Sequence, residues 1–134
     1  ILIVLPFTLI ILTTLVLLNG CKEEKLDQPK EEDLKEVSAE VLFFEFIPDS
    51  GNNAFRLLYE IKFTNPNNVA VNGFYEITTL TDGLQTAKLS SNNSPCYRIE
   101  ARSDCAFTFD EEDSFDLGRI NTIELVSVKY NIEG

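Results

Sequence analysis

The sequence predicts an all-β domain, an antiparallel β-sandwich of about seven short strands, set behind an apolar signal helix and an acidic tether. Three observations carry that reading. From residue 39 onward the apolar residues recur with period two, as in strands with one buried face. Clusters of turn formers separate the runs, and no stretch of the domain repeats with helical period.

Residues 1–18, ILIVLPFTLIILTTLVLL, carry no charge and read as the apolar core of an export signal. The stretch is also long enough to cross a thin bilayer as a helix, so the residues after it decide between the two. Leu18-Asn19-Gly20-Cys21 resembles the lipobox of bacterial lipoproteins, with an aliphatic residue three before the cysteine and a small one directly before it. The resemblance implies diacylglycerol on the Cys21 sulfur, cleavage between Gly20 and Cys21, and acylation of the new amino group. Two or more acyl chains make a stable membrane anchor where one is marginal. The bland alternative is an uncleaved anchor with Cys21 at the membrane edge. Because residue 1 is Ile and the chain has no Met, the expectation is an N-terminus that lacks its start. This divides the chain into a signal peptide over 1–20, a lipidated cysteine and tether over 21–38, and the sandwich over 39–134.

Lys22-Glu23-Glu24 looks like the surface-export signal of lipoproteins in one Gram-negative phylum. It implies the outer membrane, with display on the outer face; the alternative is a solvated linker without an address. Residues 22–36 hold seven acids and four bases and almost no apolar side chains, too little burial to offset the entropy of ordering. Pro29, with Leu34, Val37 and Val41 at helical spacing, leaves 29–38 open between tether and short helix.

Within the domain, Phe55, Leu57, Tyr59, Ile61 and Phe63 alternate with Arg56, Glu60, Lys62 and Thr64, broken only by Leu58. Further strands are expected at about 39–47, 69–81, 84–90, 96–102, 105–110 and 120–132. Loops are expected at 48–53, 65–68 and 90–95, and Asp82-Gly83 between two apolar runs signals a tight hairpin. The stretch Tyr59 to Val71, with its Asn65-Pro66-Asn67-Asn68 turn, then Phe74 to Leu80 and Asp82-Gly83, resembles immunoglobulin-like domains of the WHy type in the late-embryogenesis-abundant class 2 group. A related bacterial set has Leu-Tyr-Asp where this chain has Leu80-Thr81-Asp82. The resemblance spans about 60 residues and implies an immunoglobulin-like sandwich, without a specific ligand.

Net charge is −11, and residues 37–134 hold 15 acids against 7 bases. No basic footprint stands against this, which excludes nucleic acid as a partner. His is absent from the chain, which removes the usual base for a Ser or Cys nucleophile and the commonest zinc ligand. With Cys21 given to lipid, Cys96 and Cys105 are left as a pair for a structural disulfide in an oxidising compartment, worth roughly 2.5 to 3 kcal/mol for so short a loop. Asp110, Glu112, Asp113 and Asp116, in the densest acidic run, are weak candidates for calcium; their bland reading is a solvated loop. The tyrosines suggest a sugar-stacking platform only faintly, since most fall at core positions. Phe43-Phe44 puts one ring outward, a hint of a protein contact. No cofactor is expected. The expected function is that of a lipid-anchored, non-enzymatic envelope module acting through protein contacts; the alternative is a lipoprotein that binds glycan or calcium.

Overall fold

A computed structural model describes residues 33–134. The apolar segment and the signal residues Gly20, Cys21, Lys22, Glu23 and Glu24 lie outside the described residues. Seven strands follow in order: β1 (Ser38–Gly51), β2 (Ala54–Thr64), β3 (Val71–Thr81), β4 (Leu84–Leu89), β5 (Arg98–Ile99), β6 (Asp104–Ser114) and β7 (Ile123–Ile132). They form two antiparallel sheets. One has the order β1-β2-β6; in the other β3 is central, with β7 on one side and β4 and the short β5 on the other. Strand β2 pairs with β6 and β3 with β7, so the chain crosses between the sheets as in an immunoglobulin-like sandwich, with one more strand between the third and its partner than the seven-strand form has.

Alternation builds the core. Tyr59, Ile61 and Phe63 on β2 face Val71, Tyr75 and Ile77 on β3, with Tyr130 of β7, Cys96 and Ile99 closing the cluster. Its centre is aromatic: the Phe63 ring lies 5.3 Å from Tyr75 and 5.1 Å from Tyr130, and Tyr59 stacks on Phe109 at 4.6 Å. Offset and edge-on pairs of this kind add about 0.5–1.5 kcal/mol each beyond their buried area.

Two hairpins are closed by two-residue turns with positive φ at both positions. Asp82-Gly83 (φ 47° and 82°) joins β3 to β4 as the sequence predicts, and Asn52-Asn53 (φ 54° and 57°) joins β1 to β2. Asn, Asp and Gly adopt this backbone most readily. Several boundaries move from their expected places. Strand β1 runs on through Pro48 to Gly51, because an edge strand can carry a proline on its unpaired side. Only Arg98-Ile99 of the expected 96–102 strand pairs, and a 3-10 turn at Phe115–Leu117 appears that has no counterpart in the pattern. Asp33–Val37 belongs to neither helix nor strand; Val37 is buried in the core while Asp33 to Glu36 stay exposed, so the described part of the open 29–38 segment is not a helix.

Both outer strands β1 and β7 carry bulges. The register against β2 skips Leu42, and the register against β3 skips Val126. Each skip switches which parity faces inward: Ala39 and Val41 before Leu42, Phe44 and Phe46 after it. The adjacent Phe43 and Phe44 therefore face opposite sides, and Phe43 is left outside.

Candidate functional site

The acidic run is not a loop. Strand β6 pairs with β2 along its whole length, to Ala54 opposite Ser114, so Asp110 to Asp113 alternate between the two faces of a strand. Asp116 sits in the 3-10 turn, whose first turn is capped by the Ser114 hydroxyl accepting the Asp116 N–H at 3.1 Å. Asp110 is already engaged. The Arg56 guanidinium donates to both of its oxygens, Nε to Oδ1 at 2.7 Å and Nη2 to Oδ2 at 2.6 Å. That two-point pair holds the Asp110 carboxyl below its usual range and raises Arg56. Strand alternation and the Arg56 clamp thus separate the four calcium candidates. Among the described residues no group of three or more acid, His or Cys side chains is placed to hold a metal ion.

Cys96 and Cys105 form a disulfide with Cα atoms 5.6 Å apart. It ties the loop before β5 to the first residues of β6, and so joins the two sheets. Cys96 has φ 63°, a left-handed conformation costly for a residue with a side chain. It is held there from two sides, by the bridge and by the Tyr130 hydroxyl, which is shared between the carbonyls of Cys96 (3.0 Å) and Tyr97 (2.9 Å).

The same end of the sandwich holds a buried amide network. Asn65 turns its own corner, its Oδ1 accepting the Asn67 N–H at 3.0 Å. Its Nδ2 also reaches the carbonyls of Val69 (2.9 Å), Ile99 (3.2 Å) and Glu100 (3.0 Å), satisfying chain that cannot join a ladder. Asn67 passes the order on to the N-terminal segment: its Oδ1 accepts the Lys35 N–H at 2.8 Å and its Nδ2 donates to the Lys35 carbonyl at 2.9 Å. A side-chain amide here imitates a neighbouring strand. Asn-Pro-Asn signals a turn, but nothing local signals a partner 32 residues away.

The tyrosines offer no platform. Tyr59, Tyr75 and Tyr130 are buried, and burial pushes Tyr59 and Tyr130 up to about 12. Tyr97 is partly exposed and donates its hydroxyl to Glu133 at 2.6 Å. What the surface does present is apolar. Phe43 is 46% exposed, Leu42 45% and Val41 39%, on the free edge of β1. Leu117 stands fully out of the 3-10 turn at the opposite end from Asn65, where the Phe115 N–H bonds the Asn53 carbonyl and knits two loops together.

A groove of about 360 Å³ runs beside the end of β7, lined by Leu34, Glu36 and Tyr130 to Gly134. Among the described residues no helix is long and apolar enough to cross a membrane. Comparison with known proteins finds no matching family model, no matching curated protein and no matching solved structure.

Proposed function

We propose that this chain is a lipid-anchored, non-enzymatic module of the bacterial envelope, held through Cys21, displayed from the outer membrane, and acting through protein contacts. The observation that supports contact rather than chemistry is the strip Val41-Leu42-Phe43. The β1 bulge leaves Phe43 outward beside Leu42, and Val41, although inward, is 39% exposed, so an aromatic and aliphatic surface meets water on an edge strand. Apolar side chains contiguous on an edge are costly to leave in water and prone to unwanted pairing. They are better accounted for as part of an interface than as a solvated face.

The lipid half of the reading is carried by Leu18-Asn19-Gly20-Cys21. It is tested by feeding cells a labelled fatty acid and comparing the full chain with Cys21→Ser. The expected outcome is label on the wild type and none on the variant, which accumulates at precursor size. Wild type that stays unlabelled and at the same uncleaved size as the variant replaces the lipoprotein with a simple apolar anchor.

A further inference from the structure

The loop closed by the Cys96–Cys105 bridge is tied at several points to the Asn65-Pro66-Asn67-Asn68 turn. Asn65 gives its N–H to the Ser103 carbonyl at 2.9 Å and its Nδ2 to the carbonyls of Ile99 and Glu100. Arg102 gives its N–H to the Asn67 carbonyl at 3.0 Å and its Nε to Asn68 Oδ1 at 2.8 Å. Two residues of the loop hold left-handed backbone, Cys96 at φ 63° and Arg102 at φ 53°. That conformation is costly for a residue with a side chain and persists only where the surroundings enforce it. At Cys96 the bridge is one of the two restraints, beside the Tyr130 hydroxyl.

The turn hands this order on to the chain ahead of β1. Asn67 Nδ2 donates to Asn65 Oδ1 at 2.9 Å, which fixes the plane of the Asn67 amide. Held in that plane, Asn67 Oδ1 accepts the Lys35 N–H and Nδ2 donates to the Lys35 carbonyl. Asp33 to Glu36 are exposed and in neither helix nor strand, so the two bonds from Asn67 carry much of their order. A continuous set of contacts thus runs from the bridge, through the loop and the turn, to Lys35.

We infer that the disulfide is a redox-sensitive clasp on the N-terminal segment. Reduction by a dithiol slackens residues 96–105, loosens their hold on Asn65 and Asn67, and frees Asp33 to Glu36 while the sandwich stays folded. Cys96 is buried and Cys105 only partly so, which directs the attack to the Cys105 sulfur. A thiolate of the dithiol bonds to that sulfur and expels the Cys96 thiolate. The second thiol then closes the reagent's own disulfide and releases Cys105, so the protein gains two electrons and two protons and the dithiol is oxidised. Freed, residues 33–36 add about 13 Å to the reach of the chain ahead of the domain. That gain matters to an anchored module, but the coupling itself lies within the described residues and does not depend on lipid at Cys21. Fatty-acid labelling tests the anchor separately.

The test follows amide hydrogen exchange by NMR in the full chain, kept in detergent solution, with and without dithiothreitol. Lys35 reports the clasp, and Ile61 and Ile77 report opening of the core. On reduction, the Lys35 amide is expected to exchange at least tenfold faster, and to remain at least tenfold faster than the two core amides. Asn67→Ala removes the acceptor, so in that variant Lys35 exchanges fast from the start and reduction changes it less than twofold. An unchanged Lys35 rate in the reduced wild type overturns the proposal. So does a rate equal to that of Ile61 and Ile77, which would mean that the whole domain opens. A tenfold acceleration that persists in Asn67→Ala overturns it as well, because the bridge would then act on Lys35 by another route. The wild-type comparison decides by itself should the variant not fold.

Discussion

A Cβ added at Gly73 would overlap the Asn131 carbonyl oxygen and the Tyr130 ring, because β3 and β7 close tightly there and the tyrosine lies across the gap. Gly73→Ala is expected to lower stability by about 2–3 kcal/mol in urea denaturation, since both neighbours are backbone or buried ring and cannot give way. Tyr130→Phe keeps the ring and loses only the shared bond to the Cys96 and Tyr97 carbonyls, so it should cost about 1 kcal/mol. If the two variants unfold at the same urea concentration, the packing account of Gly73 is wrong. Asn65 is the sharper case. Asn65→Asp is nearly the same shape but turns an acceptor, charged at neutral pH, toward the three carbonyls that Nδ2 now serves. A loss of about 3 kcal/mol or more is expected, measured the same way. The turn itself was legible in Asn65-Pro66-Asn67-Asn68. The carbonyls of Ile99 and Glu100 were not, because they arrive from a distant part of the chain.

At the scale of elements, the two positive-φ hairpins are local chemistry, and Asp82-Gly83 announces one of them. The bulges are different. The run Val41-Leu42-Phe43-Phe44 breaks the alternation, yet only the pairing with β2 shows that Leu42 is the residue left over. Removing it should join Val41, inward, to Phe43, outward, without turning any other residue over. Deletion of Leu42 is therefore expected to leave the circular dichroism spectrum unchanged and to move stability by about 1 kcal/mol or less. Deletion of Glu60 from the central strand β2 slips the pairing on both sides and should abolish folding. The disulfide belongs to the same scale, since it joins the loop before β5 to β6. Cys96→Ser with Cys105→Ser is expected to cost about 2.5–3 kcal/mol in denaturant, and adding reductant to the wild type should reproduce the loss. The acidic run was misplaced as a loop because strand length depends on the partner: β6 stays extended through Ser114 as β2 pairs with it to Ala54.

For the whole molecule, burial of tyrosines in the core makes stability depend on alkaline pH. Tyr59 and Tyr130 are raised to about 12 in the folded chain, chiefly by desolvation, against 10 when exposed. A hydroxyl whose folded value is raised favours the native state fully below pH 10. That advantage shrinks as pH climbs toward 12, because the unfolded chain gives up its protons first. Melting temperature should hold steady from pH 7 to about 9.5 and fall between 10 and 12, and Tyr130→Phe should reduce the steepness of the fall. The opposite trend, or no change before pH 12, would remove these side chains from the account.

The sequence by itself determined the class of fold, the position of most strands, the Asp82-Gly83 hairpin and the cysteine pair, because period-two burial and two-residue turns are local chemistry. Its charge and the Leu18 to Cys21 motif are what the proposed envelope-module reading rests on. Only the tertiary structure decided which acids meet, since Asp110 finds Arg56 across strands 54 residues apart. It alone decided which aromatics leave the core, since a bulge reverses the parity of everything after it. It alone shows that, among the described residues, the outer edge of β7 has no paired strand and that the inward Val41 is 39% exposed. Whether an edge has a neighbour is a property of the assembled sheets, not of any one strand.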